Sequence, residues 1–150
     1  MSDDAASLLA HRFNVGDPIH ISEKMIADFC AAIGETNPLF IDPAAAKAGP
    51  YGGIIAPPAL VASPTFRRGE SSGDREERFR QGGLMAGIDM ELETPIRPGD
   101  VISTSTEVKE TYEKTGRTGT MLFTVIRSTL TNQRSEVVAR IDYRMMSRKR

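Results

Sequence analysis

The apolar positions of the chain change their period along its length. Between Ser22 and Gly34, Met25, Phe29, Ala32 and Ile33 recur at i, i+4, i+7 and i+8, the spacing of one helical face. Ser22 caps the start of this helix and Gly34 stops it. Asn37-Pro38 opens a turn, and PAAAKAG, from Pro43 to Gly49, reads as a short helix with proline at its start and glycine at its end. The run Pro57-Pro58-Ala59-Leu60-Val61-Ala62 is apolar on every side, so as a helix it is expected to be buried. Pro64 ends or kinks it early. From Leu84 the period falls to two. Leu84, Ala86, Ile88, Met90 and Leu92 alternate with Met85, Gly87, Asp89, Glu91 and Glu93, the pattern of a half-buried strand. Two more strands are expected over Val101–Tyr112 and Thr120–Leu130, with a hairpin turn at Gly116–Gly119 between them. In the last strand Val137, Ala139, Ile141, Tyr143 and Met145 are expected inward, and Val138, Arg140, Asp142 and Arg144 outward.

Helices first and then about four antiparallel strands make an α+β chain. A curved antiparallel sheet wrapped around the apolar helix satisfies the pattern. An uncovered edge strand of that sheet favours pairing with a second copy or a partner. Residues 1 to 12 read as a flexible tail and residues 13 to 150 as one domain, in keeping with a length of 150 residues. Arg67 to Gln81 (RRGESSGDREERFRQ) reads as a charged surface excursion.

Composition narrows the function classes. Nineteen basic against twenty acidic residues give a net charge of −1, which offers no electrostatic footprint for nucleic acid. No apolar run is long enough to span a bilayer. The start, MSDDAASLLA, lacks the basic region of a secretory signal, so a cytoplasmic location and no membrane partner are expected. One cysteine, Cys30, and two distant histidines, His11 and His20, make neither a disulfide nor a zinc site. No metal and no cofactor are expected. Cys30 falls off the main apolar face of its helix and is expected to be an inert thiol.

The segment from Phe29 to Leu60, FCAAIGETNPLFIDPAAAKAGPYGGIIAPPAL, resembles the MaoC-like family of (R)-specific enoyl-CoA hydratases and 3-hydroxyacyl dehydratases. Pro98-Gly99-Asp100 before a strand also fits that family. The resemblance implies a hotdog fold and an acyl-CoA or acyl-carrier-protein thioester as ligand. It further implies a motif resembling Asp-x-Asn-Pro-x-His, whose Asp and His share the reacting water. A backbone N–H at the start of the central helix then holds the thioester oxygen as it becomes enolate-like.

The chain departs from the family pattern at three places. Glu35 stands at the Asp position, one methylene longer, and a 1 Å misplacement costs about a hundredfold in rate. Phe40 stands at the His position and can neither take nor give a proton. Pro57 aligns with the glycine that supplies the oxyanion donor, and proline has no N–H. Ala56 is the one neighbour able to replace it. Losing such a donor costs about 2.7–4 kcal/mol. These departures resemble the degenerate, non-catalytic halves of the family, which line the acyl channel beside an intact hotdog partner subunit. On that reading Glu35 is a degenerate catalytic position, and Asn37, Phe40, Tyr51, Gly52, Gly53, Ala56 and Pro57 are expected around the substrate. Two alternatives remain: a self-sufficient homodimeric hydratase using Glu35 with Asp42 or His20, and a hotdog module that binds an acyl thioester without chemistry.

Overall fold

A computed structural model describes residues 12–14, 17–63, 84–117 and 119–148 of the chain. The expected tail, except for Arg12, and the charged excursion with Pro64 lie outside the described residues, as does His11.

Helix α1 spans Glu23–Ile33. The Ser22 hydroxyl accepts from the Met25 N–H at 3.1 Å, which satisfies one of the donors orphaned at a helix start. Gly34 ends the helix at φ 68°, and the next N–H, from Glu35, donates to the Cys30 carbonyl at 2.9 Å. The buried face differs from the expected one. Ile26 and Cys30 are the buried residues, Met25 and Phe29 pack at the margin of the core, and Ile33 is 48% exposed. Ile26 and Cys30 are themselves i, i+4, so the helix is rotated towards them from the Met25–Phe29–Ile33 stripe. Cys30 is thus in the core rather than off the apolar face.

Two short helices follow: α2, Pro38–Ile41, and α3, Pro43–Ala48. Each begins with proline behind a side-chain cap, Asn37 for α2 and Asp42 for α3. The apolar run ahead of Pro64 forms a 3-10 helix over Pro58–Ala62. Leu60 and Val61 are buried in the core, whereas Pro58 and Ala59 are exposed, so this turn is not enclosed on every side. Proline at its start lacks the N–H for a regular first turn, and the first bond runs from the Leu60 N–H to the Pro57 carbonyl at 2.9 Å.

The strands are β1, Arg12–Asn14; β2, Ile19–His20; β3, Leu84–Leu92; β4, Val101–Gly116; β5, Gly119–Thr131; and β6, Val137–Arg148. They form one antiparallel sheet in the order β1-β4-β5-β6-β3, with β2 also on β4. The four long strands match the period-two runs of the sequence. The register shifts at three places, between Val108 and Glu110 in β4, in β3 and in the β5–β6 pair, and the last two overturn the expected alternation of side chains. Leu130 pairs with Ala139 but Thr131 pairs with Val137, so Val138 is the extra residue of a bulge. Val138 is therefore buried together with Ala139, and not outward as strict alternation predicts. In β3 the register shifts between Met85 and Gly87. Ile88, Met90 and Leu92 pair with the core residues Tyr143, Ile141 and Ala139, but Leu84 pairs with Met146. Leu84 thus shares the face of Met146 rather than that of Ile88. Residues of β3 expected to be half-buried are exposed, from 40% for Met90 to 56% for Leu84.

Ile21, Ile26, Leu60, Ile102, Leu130 and Ile141 form the centre of the core on the concave side of the sheet. The opposite side carries a charge ladder, in which Asp142 takes two bonds from Arg127, at 2.7 and 2.9 Å, and one from Lys109 at 2.8 Å. The Pro98-Gly99-Asp100 turn is fastened to the β5–β6 turn through buried Asp100. Its carboxylate accepts from the Arg97 N–H at 2.8 Å, Gln133 at 3.1 Å and Arg134 at 3.3 Å.

Candidate functional site

The site residues named from the sequence fall into two groups. Glu35, Asn37 and Phe40 belong to the turn between α1 and α2. Tyr51, Ala56 and Pro57 line a cleft ahead of the 3-10 helix. The lining of that cleft does not include the first group.

In the turn, one Glu35 carboxylate oxygen accepts from the N–H groups of Thr36 and Asn37, both at 2.9 Å. The Asn37 side chain accepts from the Leu39 N–H at 3.0 Å, an Asx turn that caps α2. The carboxylate therefore folds back on its own turn. Phe40 packs against the core, and its carbonyl lies 3.9 Å from the Cys30 sulfur as an acceptor. Burial, with the nearby Glu35 carboxylate adding to it, pushes the Cys30 thiol above its ordinary range. The thiol is therefore protonated at neutral pH and a poor nucleophile.

The chain reaches the cleft through a turn in which the Gly52 N–H donates to the Gly49 carbonyl at 3.2 Å. Gly52 has φ 67°, a conformation costly for a residue with a Cβ. Gly52 and Gly53 shape this turn next to the cleft rather than lining it. Beyond them the chain runs extended, and the Ala56 N–H donates to the Ile96 carbonyl at 2.8 Å. That bond closes the remaining oxyanion option: Ala56 is committed to Ile96, and Pro57 and Pro58 have no N–H to offer. Asp42 is likewise occupied, since one of its oxygens accepts from the Ala44 and Ala45 N–H groups at 2.9 and 3.2 Å. His20 is exposed on β2, remote in sequence from both groups.

The cleft holds about 180 Å³. Tyr51, Ile55, Ala56, Pro57, Pro58 and Val61 form one wall, Leu92, Glu93, Thr94, Pro95 and Ile96 the other, and Val138 completes it. The carboxylate of Glu93 is ion-paired with Arg140. The second wall was not legible in the sequence. It comes from a segment some forty residues further on, brought alongside by the Ala56–Ile96 bond, and Val138 arrives only through its bulge. The Pro95 and Pro98-Gly99-Asp100 turn signals were visible, but nothing local tied them to Pro57.

A curled antiparallel sheet in this strand order, packed against few helices, with an apolar cleft beside a proline-started turn, is a hotdog fold of the MaoC-like dehydratase type. The family model for the FAS1-like dehydratase domain region matches residues 7–141, and the chain belongs to that family. A UPF0336 protein of Streptomyces avermitilis is 30% identical over 105 residues, 69% of this chain and 70% of the relative. A probable enoyl-CoA hydratase alpha subunit of Thermomonospora curvata is 28% identical over 145 residues, covering 87% of this chain. The chain spans 45% of that longer relative. Among solved structures, a MaoC-like dehydratase from Rhodospirillum rubrum superposes with a TM-score of 0.74 at 26% identity, over 93% of this chain and 92% of the other. The ChsH1-ChsH2 complex from Mycobacterium tuberculosis has the same fold, with a TM-score of 0.74 at 22% identity over 97% of this chain and 89% of that one. The chain is thus a hydratase-like hotdog chain related to enoyl-CoA hydratase alpha subunits. Among the described residues, no helix is long and apolar enough to cross a membrane.

Proposed function

We propose that this chain is the degenerate half of a two-subunit (R)-specific enoyl-thioester hydratase or 3-hydroxyacyl-thioester dehydratase. It lines the acyl channel, and an intact hotdog partner subunit supplies the acid–base pair and the oxyanion donor. The observation that carries this reading is the commitment of the Ala56 N–H to the Ile96 carbonyl beside two prolines. Hydration of an enoyl thioester builds negative charge on the carbonyl oxygen, and a site without a donor there leaves that charge uncompensated. Phe40 in place of an imidazole, and a Glu35 carboxylate turned onto its own backbone, agree with it. The relation to proteins named as alpha subunits gives the pairing a precedent.

In this assembly the apolar cleft at Tyr51, Ala56 and Pro57 takes part of the acyl group, and Phe40 is a wall rather than a failed base. The site needs no metal or redox cofactor, because water addition requires only proton transfers and oxyanion stabilisation. The test is reconstitution with a hotdog subunit that carries an intact Asp-x-Asn-Pro-x-His motif. Hydration of trans-2-enoyl-CoA is expected to require that motif and to rise in rate or acyl range when this chain is added. No complex, and no effect of the chain on the partner's kinetics, would sink the reading.

The apolar cleft also favours a second reading, a hotdog module that holds an acyl thioester without chemistry. It predicts that acyl-CoA raises the melting temperature of the chain alone, with no partner needed.

A further inference from the structure

The cleft grades from an exposed lip to a buried floor. Tyr51 and Leu92 at the lip are 40% and 47% exposed, and Glu93 beside Leu92 is also exposed. Pro57, Val61 and Val138 are buried and close the inner end.

Val138 differs from the other two in how it gets there. Pro57 and Val61 belong to the proline-started 3-10 turn, one as its cap and one within it. Val138 enters the cleft only through the bulge in β6. Strict alternation would put it on the outer face with Arg140 and Asp142. The bulge turns it inward next to Ala139 and leaves it 1% exposed. Its carbonyl accepts from the Glu93 N–H at 3.1 Å, which ties the floor to the second wall. Re-aiming one side chain is what a bulge beside a functional site does. A β-branched valine is also stiff at χ1, so this floor does not give way by rotation.

We infer that Val138 sets the depth of the cleft, and with it the length of acyl chain the protein accepts. The inference rests on the part of the proposed reading that places an acyl group in the cleft. A cavity of roughly 150 Å³ holds benzene, so a cleft of about 180 Å³ has room for about six acyl carbons. Each methylene that enters is worth about fourfold in affinity. Carbons beyond the filled cleft stay in solvent and add nothing. Val138→Ala removes two methyl groups from the floor and extends the rise by about two carbons. Val138→Ile adds one and ends it about one carbon earlier.

The test is isothermal titration calorimetry with saturated acyl-CoAs from acetyl-CoA to dodecanoyl-CoA. It is run on the purified chain and on its complex with an intact hotdog subunit. The parent's affinity is expected to rise about fourfold per carbon and to level off near hexanoyl-CoA. Val138→Ala should level off near octanoyl-CoA. Its preference for octanoyl-CoA over hexanoyl-CoA should exceed the parent's by about tenfold or more. A Val138 that only supports the fold lowers the melting temperature when replaced but leaves the length at which the rise ends. Melting curves identify a variant that has lost its fold, and Val138→Ile then carries the comparison. A rise that ends at the same length in all three proteins, or no acyl-CoA binding by chain or complex, would overturn the inference. If the complex forms and gains rate while its length profile ignores residue 138, the two-subunit reading survives and this inference fails. If no complex forms but the length limit of the chain alone moves with residue 138, the inference stands and the two-subunit reading fails.

Discussion

Glu35 is the residue on which a catalytic and a structural role give opposite expectations. Its carboxylate accepts two backbone N–H groups of its own turn at 2.9 Å. Bonds from N–H groups to a charged acceptor each stabilise by more than a neutral pair, and this acceptor is part-exposed. Glu35→Ala is therefore expected to destabilise the chain by about 1 kcal/mol in denaturant unfolding. The rate of a complex reconstituted with an intact subunit should change less than about twofold. A loss of about a hundredfold, the scale of a displaced catalytic group, would instead make Glu35 part of the chemistry. The sequence already showed that Phe40 and Pro57 lack the proton and the N–H the family reaction uses. It did not show that the Ala56 N–H is spent on Ile96, a residue forty positions away, or that the Glu35 carboxylate turns back onto the N–H groups of Thr36 and Asn37.

The elements were more legible than their orientations. The Ser22 cap, the Gly34 stop, the Asn37-Pro38 turn, the proline-started helix at Pro43 and the period-two strands follow from local chemistry, and the structure has each of them. Local pattern failed where tertiary packing chose between near-equal options. Helix α1 presents two apolar stripes, and the core took Ile26 and Cys30. Strict alternation misplaced Val138 and Leu84, because a bulge leaves no mark in a run of apolar residues. The outer face of the sheet is held by the Arg127–Asp142–Lys109 cluster. The Arg127 bonds, against the opposing effect of burial and with Lys109 adding, hold the Asp142 carboxyl below the usual carboxylate range. A carboxyl whose pKa is lower in the folded chain contributes stability above its unfolded pKa and loses it as pH falls through its folded value. Asp142→Asn is therefore expected to cost about 1–2 kcal/mol near neutral pH. In urea unfolding the gap between the two proteins should narrow as pH falls below the ordinary Asp range. A gap that stayed constant into acid would show that the cluster contributes through packing alone.

At the scale of the whole molecule, the sheet leaves its two most informative surfaces incomplete. The cleft at Pro57 is lined mostly by apolar residues, with the Ala56 N–H committed to Ile96 and no N–H on Pro57 or Pro58, and among the described residues the exposed β3 edge pairs with β6 alone. On the proposed two-subunit reading, an intact hotdog partner supplies the donor that the cleft lacks. The cleft's volume of about 180 Å³ is close to the roughly 150 Å³ of a cavity that holds benzene, room for the short stretch of acyl chain that the proposed reading puts there. On the proposed reading this chain has no hydratase chemistry of its own. The most direct measurement is the loss of enoyl-thioester absorbance when the purified chain alone meets short and medium trans-2-enoyl-CoA. No turnover above the uncatalysed rate is expected. Clear turnover that copurifies with the chain would contradict this, and would mean that a base and an oxyanion donor other than Phe40 and Pro57 do the chemistry.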